Sequence, residues 1–172
     1  MDWQFSPYVI PLIIGVIPLF GLAIIAWRRG DSLDIRLFCL NAISTGFMIL
    51  AYVMEMLSAS EAGIRFWLKV EYFFSYPPAL WLLFVLAYPG HEHWATPRRV
   101  LLLFLPSILH TLSAWTNEIH HLNWATTGFR EIDGLLLFQP TYGPSFIAAS
   151  IYYFVLIAAM VGVTLNAYLR AA

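Results

Sequence analysis

Charge is scarce in this chain. Only 11% of its 172 residues are Asp, Glu, Lys or Arg, against about a quarter in an average soluble protein, while 60% are apolar. That balance defines an integral membrane protein. A net charge of −1 leaves no basic surface to neutralise phosphates, which excludes nucleic-acid binding. A single cysteine, Cys39, excludes an internal disulfide, and its place early in an apolar run predicts a packed, inert thiol. No nucleophile motif, glycine-rich phosphate loop or HExxH occurs, and no paired carboxylates are expected deep in the bilayer, so nothing argues for an enzyme. The runs show no internal symmetry of the kind that marks transporters. The N-terminus, Met1-Asp2-Trp3-Gln4, lacks the basic flank of a cleavable signal, so the first apolar run reads as a retained span.

What is present is a series of long apolar runs. Five are long enough to cross a bilayer: about 8–27, 35–57, 65–88, 99–115 and 144–169. The expected fold is an all-α integral membrane protein, a five-helix transmembrane bundle forming a single domain over residues 1–172. Between spans four and five, residues 116–143 are long enough to hold structure of their own. There Ile132-Asp133-Gly134-Leu135 marks a hairpin turn, which predicts a short interfacial helix and then a small outer hairpin or lid. Arg28, Arg29, Arg36, Arg98, Arg99 and Arg170 fall on one side of the spans, and Arg65, Lys69 and Arg130 on the other. This bias puts the N-terminus outside and the C-terminus in the cytoplasm of a cell (inner) membrane. Trp3, Trp67, Trp94, Trp115 and Trp124 lie near span ends, where indole rings anchor at headgroups.

Within the spans, prolines 7, 11 and 18 predict a kinked first helix, and Pro77-Pro78 a break in the third. Asn41, Thr45, Met48, Tyr52 and Glu55 recur at helical spacing, so the second span presents a polar stripe to protein. On the third, Arg65, Lys69, Tyr72 and Tyr76 share a face, with Glu71 turned to the other side. Ala158, Gly162 and Asn166 form a small-residue face on the fifth, suited to close helix contact. Ionisable groups inside spans mark functional sites. Here Tyr52, Glu55, Lys69, Glu71 and Tyr72 converge on one end of a helical hairpin. A Glu55–Lys69 ion pair tying the second and third spans is one reading, and a pocket sensing a ligand or proton is the other. His91-x-His93, His110 and His120-His121 raise metal or haem binding, but adjacent histidines diverge and His110 has no evident axial partner, so structural histidines are expected. No cofactor is called for, with haem or pigment contact the exception to test.

A set of motifs runs through the spans: SPYVIPLI at 6–13, AYVMEM at 51–56, WLKVEYFFSYPPALWLLFVLAY at 67–88, LPSILHTLSAWTNEIHHLNW at 105–124, and YGPSF at 142–146 followed by Tyr152-Tyr153. In this order they resemble the N-terminal seven-helix sensory region of sensor histidine kinases. The most specific of them is Thr116-Asn117-x-x-His120-x-Leu122-x-Trp124, combined with Tyr52-x-x-Glu55. The resemblance implies a non-catalytic input module in the lipid bilayer, feeding a cytoplasmic signalling domain or partner protein. The five spans answer to the first five of the family's seven, as in a fragment or a shortened relative. Tyr52, Glu55, Lys69, Glu71, Tyr72, Asn117, His120 and Trp124 are expected to line or close an outward-facing pocket for an unknown small ligand. The alternative is a non-catalytic subunit of a larger membrane complex, with or without pigment, serving docking and stability. Both allow a homodimer or larger assembly. Aromatic residues, 17% of the chain, suit either reading.

Overall fold

The computed structural model describes residues 3–87 and 94–171, and its order is α1 (Val9–Arg29), α2 (Leu33–Leu57), α3 (Glu61–Phe73), α4 (Pro77–Ala87), α5 (Pro97–Trp115), α6 (Asn117–His120), β1 (Trp124–Ile132), β2 (Leu135–Tyr142) and α7 (Pro144–Ala171). The protein is mostly helical, and among the described residues four segments are long and apolar enough to cross a membrane: α1, α2, the α3–α4 pair from Glu61 to Ala87, and α7 to Leu169. The expected fourth span, α5, is not among them. It begins Pro97-Arg98-Arg99 and carries Ser107, His110, Thr111 and Ser113, of which Ser107, His110 and Thr111 are buried.

The α1–α2 hairpin packs closely. Phe20 on α1 lies against the backbone of Gly46 and meets the Phe47 ring edge-on at 5.4 Å. Cys39 is fully buried, its thiol donating to the Ala23 carbonyl at 3.3 Å. The turn after α2 is shorter than expected, because the Ser60 hydroxyl accepts from the Gly63 N–H and starts α3 at Glu61 rather than near Arg65.

The break at Pro77-Pro78 separates α3 from α4. Proline removes a helical donor and frees carbonyls upstream. Hydroxyls from α5, from α2 and from the break itself take carbonyls there: Thr111 on α5 and Ser75 in the break both donate to the Tyr72 carbonyl, at 2.9 and 2.8 Å, and Ser44 on α2 donates to the Phe74 carbonyl, which Pro78 frees, at 3.1 Å. Beyond the break, α4 packs Leu83 and Ala87 with Leu37 of α2, and Ala79 and Leu82 with Leu156 of α7. Tyr152 of α7 donates to the Leu103 carbonyl of α5, and Ser113 and Ser145 share a 2.6 Å hydrogen bond. The small-residue face of α7 is not used this way. Ala158, Gly162 and Asn166 are exposed and α7 packs through Ala149, Tyr152, Tyr153 and Leu156 instead.

After the single turn of α6 the chain forms the antiparallel β1–β2 hairpin, with Ile132 paired to Leu135 across the two-residue turn Asp133-Gly134. Both turn residues have positive φ, 52° and 77°, the combination that Asp-Gly adopts in hairpin turns. Gly143 leads out of the hairpin into α7, and a Cβ there would collide with the Leu122 carbonyl. That carbonyl cannot retreat, since it accepts from the Ser145 N–H at 2.9 Å. Gly143→Ala should destabilise the protein by about 1–3 kcal/mol, read as a lower melting temperature in detergent. Gly162→Ala, with nothing within 4 Å of the added carbon, should leave it unchanged.

Candidate functional site

The hairpin is fastened at both ends by side chains that substitute for backbone. Asn117, 2% exposed, accepts from the Asn123 and Trp124 N–H groups at 2.9 Å each and donates to the Trp124 carbonyl at 3.0 Å, holding the first residues of β1 against α6. His120 supports the same corner. Its Nδ1 accepts from the Leu122 N–H at 3.0 Å, its Nε2 lies 3.0 Å from the Thr116 hydroxyl, and that hydroxyl donates to the Leu112 carbonyl. With Nδ1 accepting, the network assigns the ring proton to Nε2. At the other end Gln4 exchanges hydrogen bonds with Leu136, its Nε2 donating to the carbonyl at 3.1 Å and its Oε1 accepting from the N–H at 2.8 Å. The same Nε2 donates to the Met56 carbonyl at 3.0 Å. One side chain thereby joins β2 to the end of α2.

Between the hairpin, α2 and α3 lies a cavity of about 400 Å³. Alternate residues of β2, Leu136, Phe138, Pro140 and Tyr142, form one wall together with Leu137. Tyr52, Glu55 and Met56 come from α2, and Ile64, Leu68, Glu71 and Tyr72 from α3. Ile64 is 1% exposed and lies at the floor, whereas Tyr52 and Tyr142, at 42% and 50%, stand at the mouth. The carboxyl groups of Glu55 and Glu71 lie against each other. Glu71 sits ten residues into its span, roughly 15 Å along the axis. This corrects the expectation that no paired carboxylates lie within the membrane: the pair arises between two spans, so neither run shows it alone.

Of the residues expected to form a pocket, Tyr52, Glu55, Glu71 and Tyr72 do line this one. Lys69, Asn117, His120 and Trp124 do not. The expected Glu55–Lys69 pair is absent as well. Lys69 is two residues, and so about 200° of helix, from Glu71, and it is Glu71 that faces α2. Lys69 turns to the C-terminal end of α5, where carbonyls are unpaired and negative. It donates to the Trp115 carbonyl at 3.2 Å and the Glu118 carboxylate at 2.6 Å, while the Trp115 indole donates back to the Lys69 carbonyl. Partial burial pushes the Glu118 carboxyl up, but the hydrogen bond and charge of Lys69 outweigh it and hold it below the ordinary value. Asn117 and His120 shape the corner beneath the hairpin. Trp124 is buried behind the lining, edge-on to Tyr72 at 5.4 Å and to Phe138 at 5.6 Å.

Sequence reasoning missed Gln4 and the β2 wall. Gln4 stands alone in a short polar terminus and carries no periodic signal. The alternation in β2 was visible once the Asp133-Gly134 turn was recognised. His110 is a hydrogen-bonded structural histidine: the Tyr153 hydroxyl lies 3.3 Å from Nδ1, and the ring packs edge-on against Tyr72 at 5.0 Å and near Phe146 at 6.2 Å. His91 and His93 lie outside the described residues.

These features define a membrane-embedded helical bundle that holds an acidic, aromatic-walled cavity beside a β-hairpin. Residues 11–172 match the N-terminal 7TM region of histidine kinase, and the chain belongs to that family. It is a sensory module of signal transduction rather than the catalytic domain of such a kinase, and its membership implies a cytoplasmic signalling domain as partner. Neither a curated protein nor a solved structure matches it.

Asn117→Ala should cost about 2–4 kcal/mol, because it strands two buried N–H donors and a carbonyl. Hydrogen exchange should then quicken at the Asn123 and Trp124 amides while the α1–α2 amides stay protected. The Lys69–Glu118 bond should add at most about 1 kcal/mol, since Glu118 is 60% exposed. With the folded value of Glu118 lowered from 4.5, that contribution is complete above about pH 4.5 and fades as pH falls through the folded value. Melting curves of wild type and Glu118→Gln should therefore converge in acid.

Proposed function

We propose that the cavity between the hairpin, α2 and α3 is the input site of this sensory module, binding a small ligand through Tyr52, Glu55, Glu71 and Tyr72. The observation that carries this reading is the carboxyl pair. Two acidic side chains from different spans meet in a 400 Å³ space large enough for a ligand, with no cation among the described residues that line it. The hairpin acts as the lid. It is fastened by Asn117 and Gln4 rather than by a core of its own, so it can move as a unit about those two points.

A route from the cavity to α7 supports a signalling role. Tyr142, at the mouth, stacks on Phe146 in the first turn of α7 at 3.9 Å, and Tyr72 reaches α7 through His110 and Tyr153. A ligand that preferred one placement of the hairpin would shift α7 by its difference in affinity for the two placements. In this arrangement α5 is the fourth of five spans, its polar face turned to the bundle and its lipid face formed by Leu101, Leu102, Leu105, Leu109 and Leu112, all exposed. The arginine bias then sets the N-terminus and the hairpin outside and the C-terminus in the cytoplasm.

Two measurements test this reading. A membrane-impermeant maleimide should label Glu131→Cys on intact cells, the native Cys39 being buried and silent; labelling only after lysis would reverse the orientation. Joined to its kinase domain, the module carrying Leu68→Trp, which fills the cavity from the α3 face that lines it, or Tyr142→Ala, which removes the stack, should show altered autophosphorylation at an unchanged amount in the membrane. Unaltered output in both variants would sink the reading.

A further inference from the structure

The chemistry of the cavity specifies more than its presence. Glu55 and Glu71 come together from two helices, and one Glu55 oxygen, Oε2, is buried without a hydrogen-bond partner. The cations nearest along α3 are committed elsewhere. Lys69 is held by Glu118 at 2.6 Å, and Arg65 by Glu61 at 3.6 Å and by the Phe129 ring, whose centroid lies 4.8 Å from its guanidinium carbon. Among the described residues lining the space there is no Lys, Arg or His. The remaining walls are aromatic or aliphatic: the rings of Tyr52, Tyr72, Phe138 and Tyr142, and the side chains of Leu68 and Leu137. Ring faces attract a cation most strongly where water is excluded. A pair of carboxyls supplies the counter-charge, and the same pair repels an anion and gains little from a neutral apolar molecule.

We propose that the ligand of this cavity is an organic cation, a primary amine or quaternary ammonium on a compact apolar or aromatic body, with its charge at Glu55 and Glu71 and its body against the tyrosines and β2. This rests on the reading of the cavity as the input site and adds the class of ligand. The volume of about 400 Å³ lies toward the small end of ligand pockets, which run from about 300 to 1,000 Å³, so the body is limited to one or two rings or a short chain. Tyr52 and Tyr142, at the mouth, are the first rings such a cation meets, and Tyr142 passes its presence to Phe146.

The test uses the full chain in lipid nanodiscs, titrated with four probes of similar size: 2-phenylethylammonium, benzyltrimethylammonium, the neutral 2-phenylethanol and the anionic phenylacetate. At least one ammonium should bind saturably and raise the melting temperature, with affinity at least about tenfold above that of the alcohol, and phenylacetate should not bind. Glu55→Gln and Glu71→Gln, which keep side-chain size, should each erode that preference, and the double variant should abolish it while still melting cooperatively. Should the double variant fail to fold, the single variants carry the same comparison. Failure of both ammoniums to bind, equal binding of the alcohol or phenylacetate, or a preference that survives both substitutions would overturn the assignment. Leu68→Trp separates this proposal from the reading beneath it. If the substitution blocks whichever probe binds and alters kinase output, the cavity remains the input site even where the charge preference fails. If output is unaltered in this variant and in Tyr142→Ala, the input reading itself falls.

Discussion

A bilayer offers no water to an unpaired backbone group, so every irregularity in a span must be repaired from within the protein. The break between α3 and α4 shows what that constraint does here. Its freed carbonyls are taken by hydroxyls from α2, from α5 and from the break itself, so the interruption ties three helical segments together at one level. Thr111, which repairs the Tyr72 carbonyl, lies one residue from His110, which packs on the Tyr72 ring. The repair and the aromatic contacts behind the cavity thus depend on the same turn of α5.

The allocation of charge follows from helix phase. On α3, Lys69 and Glu71 point nearly opposite ways, so one helix can send its cation to the carbonyl end of α5 and its carboxyl to α2. Were Lys69 turned to Glu55, the cavity would hold a closed ion pair and have little left to offer a ligand. Its commitment to Glu118 and Trp115 leaves the two carboxyls facing each other. The corner that receives Lys69 is the one Asn117 and His120 build, so the most specific motif in the chain governs the charge of the site without entering it.

Much was legible in the residues themselves. Apolar runs located the helices to within a few positions, Pro77-Pro78 announced the break, and Asp133-Gly134 announced the hairpin, because each rests on local chemistry: hydrophobic length, a missing amide proton and an adjacent pair of positive φ angles. The stripe ending in Tyr52 and Glu55 was equally readable, and both residues line the cavity. Membership of the histidine-kinase sensory family followed from motifs spread over every span.

Partnership was not legible. Whether Lys69 meets Glu55 or Glu118, and whether Gln4 touches anything at all, depend on where distant segments dock, over separations of 49 and 132 residues. The membrane bundle, its apolar lengths, its break and its turn are written in local residue order, since these are properties of a few neighbouring residues and the solvent around them. That two glutamates from separate spans share one cavity, while the lysine expected between them is held elsewhere, follows from helix docking alone. Helix rotation and docking set which faces meet, and a hydrophobic pattern constrains that rotation too loosely to choose between residues 100° or 200° apart.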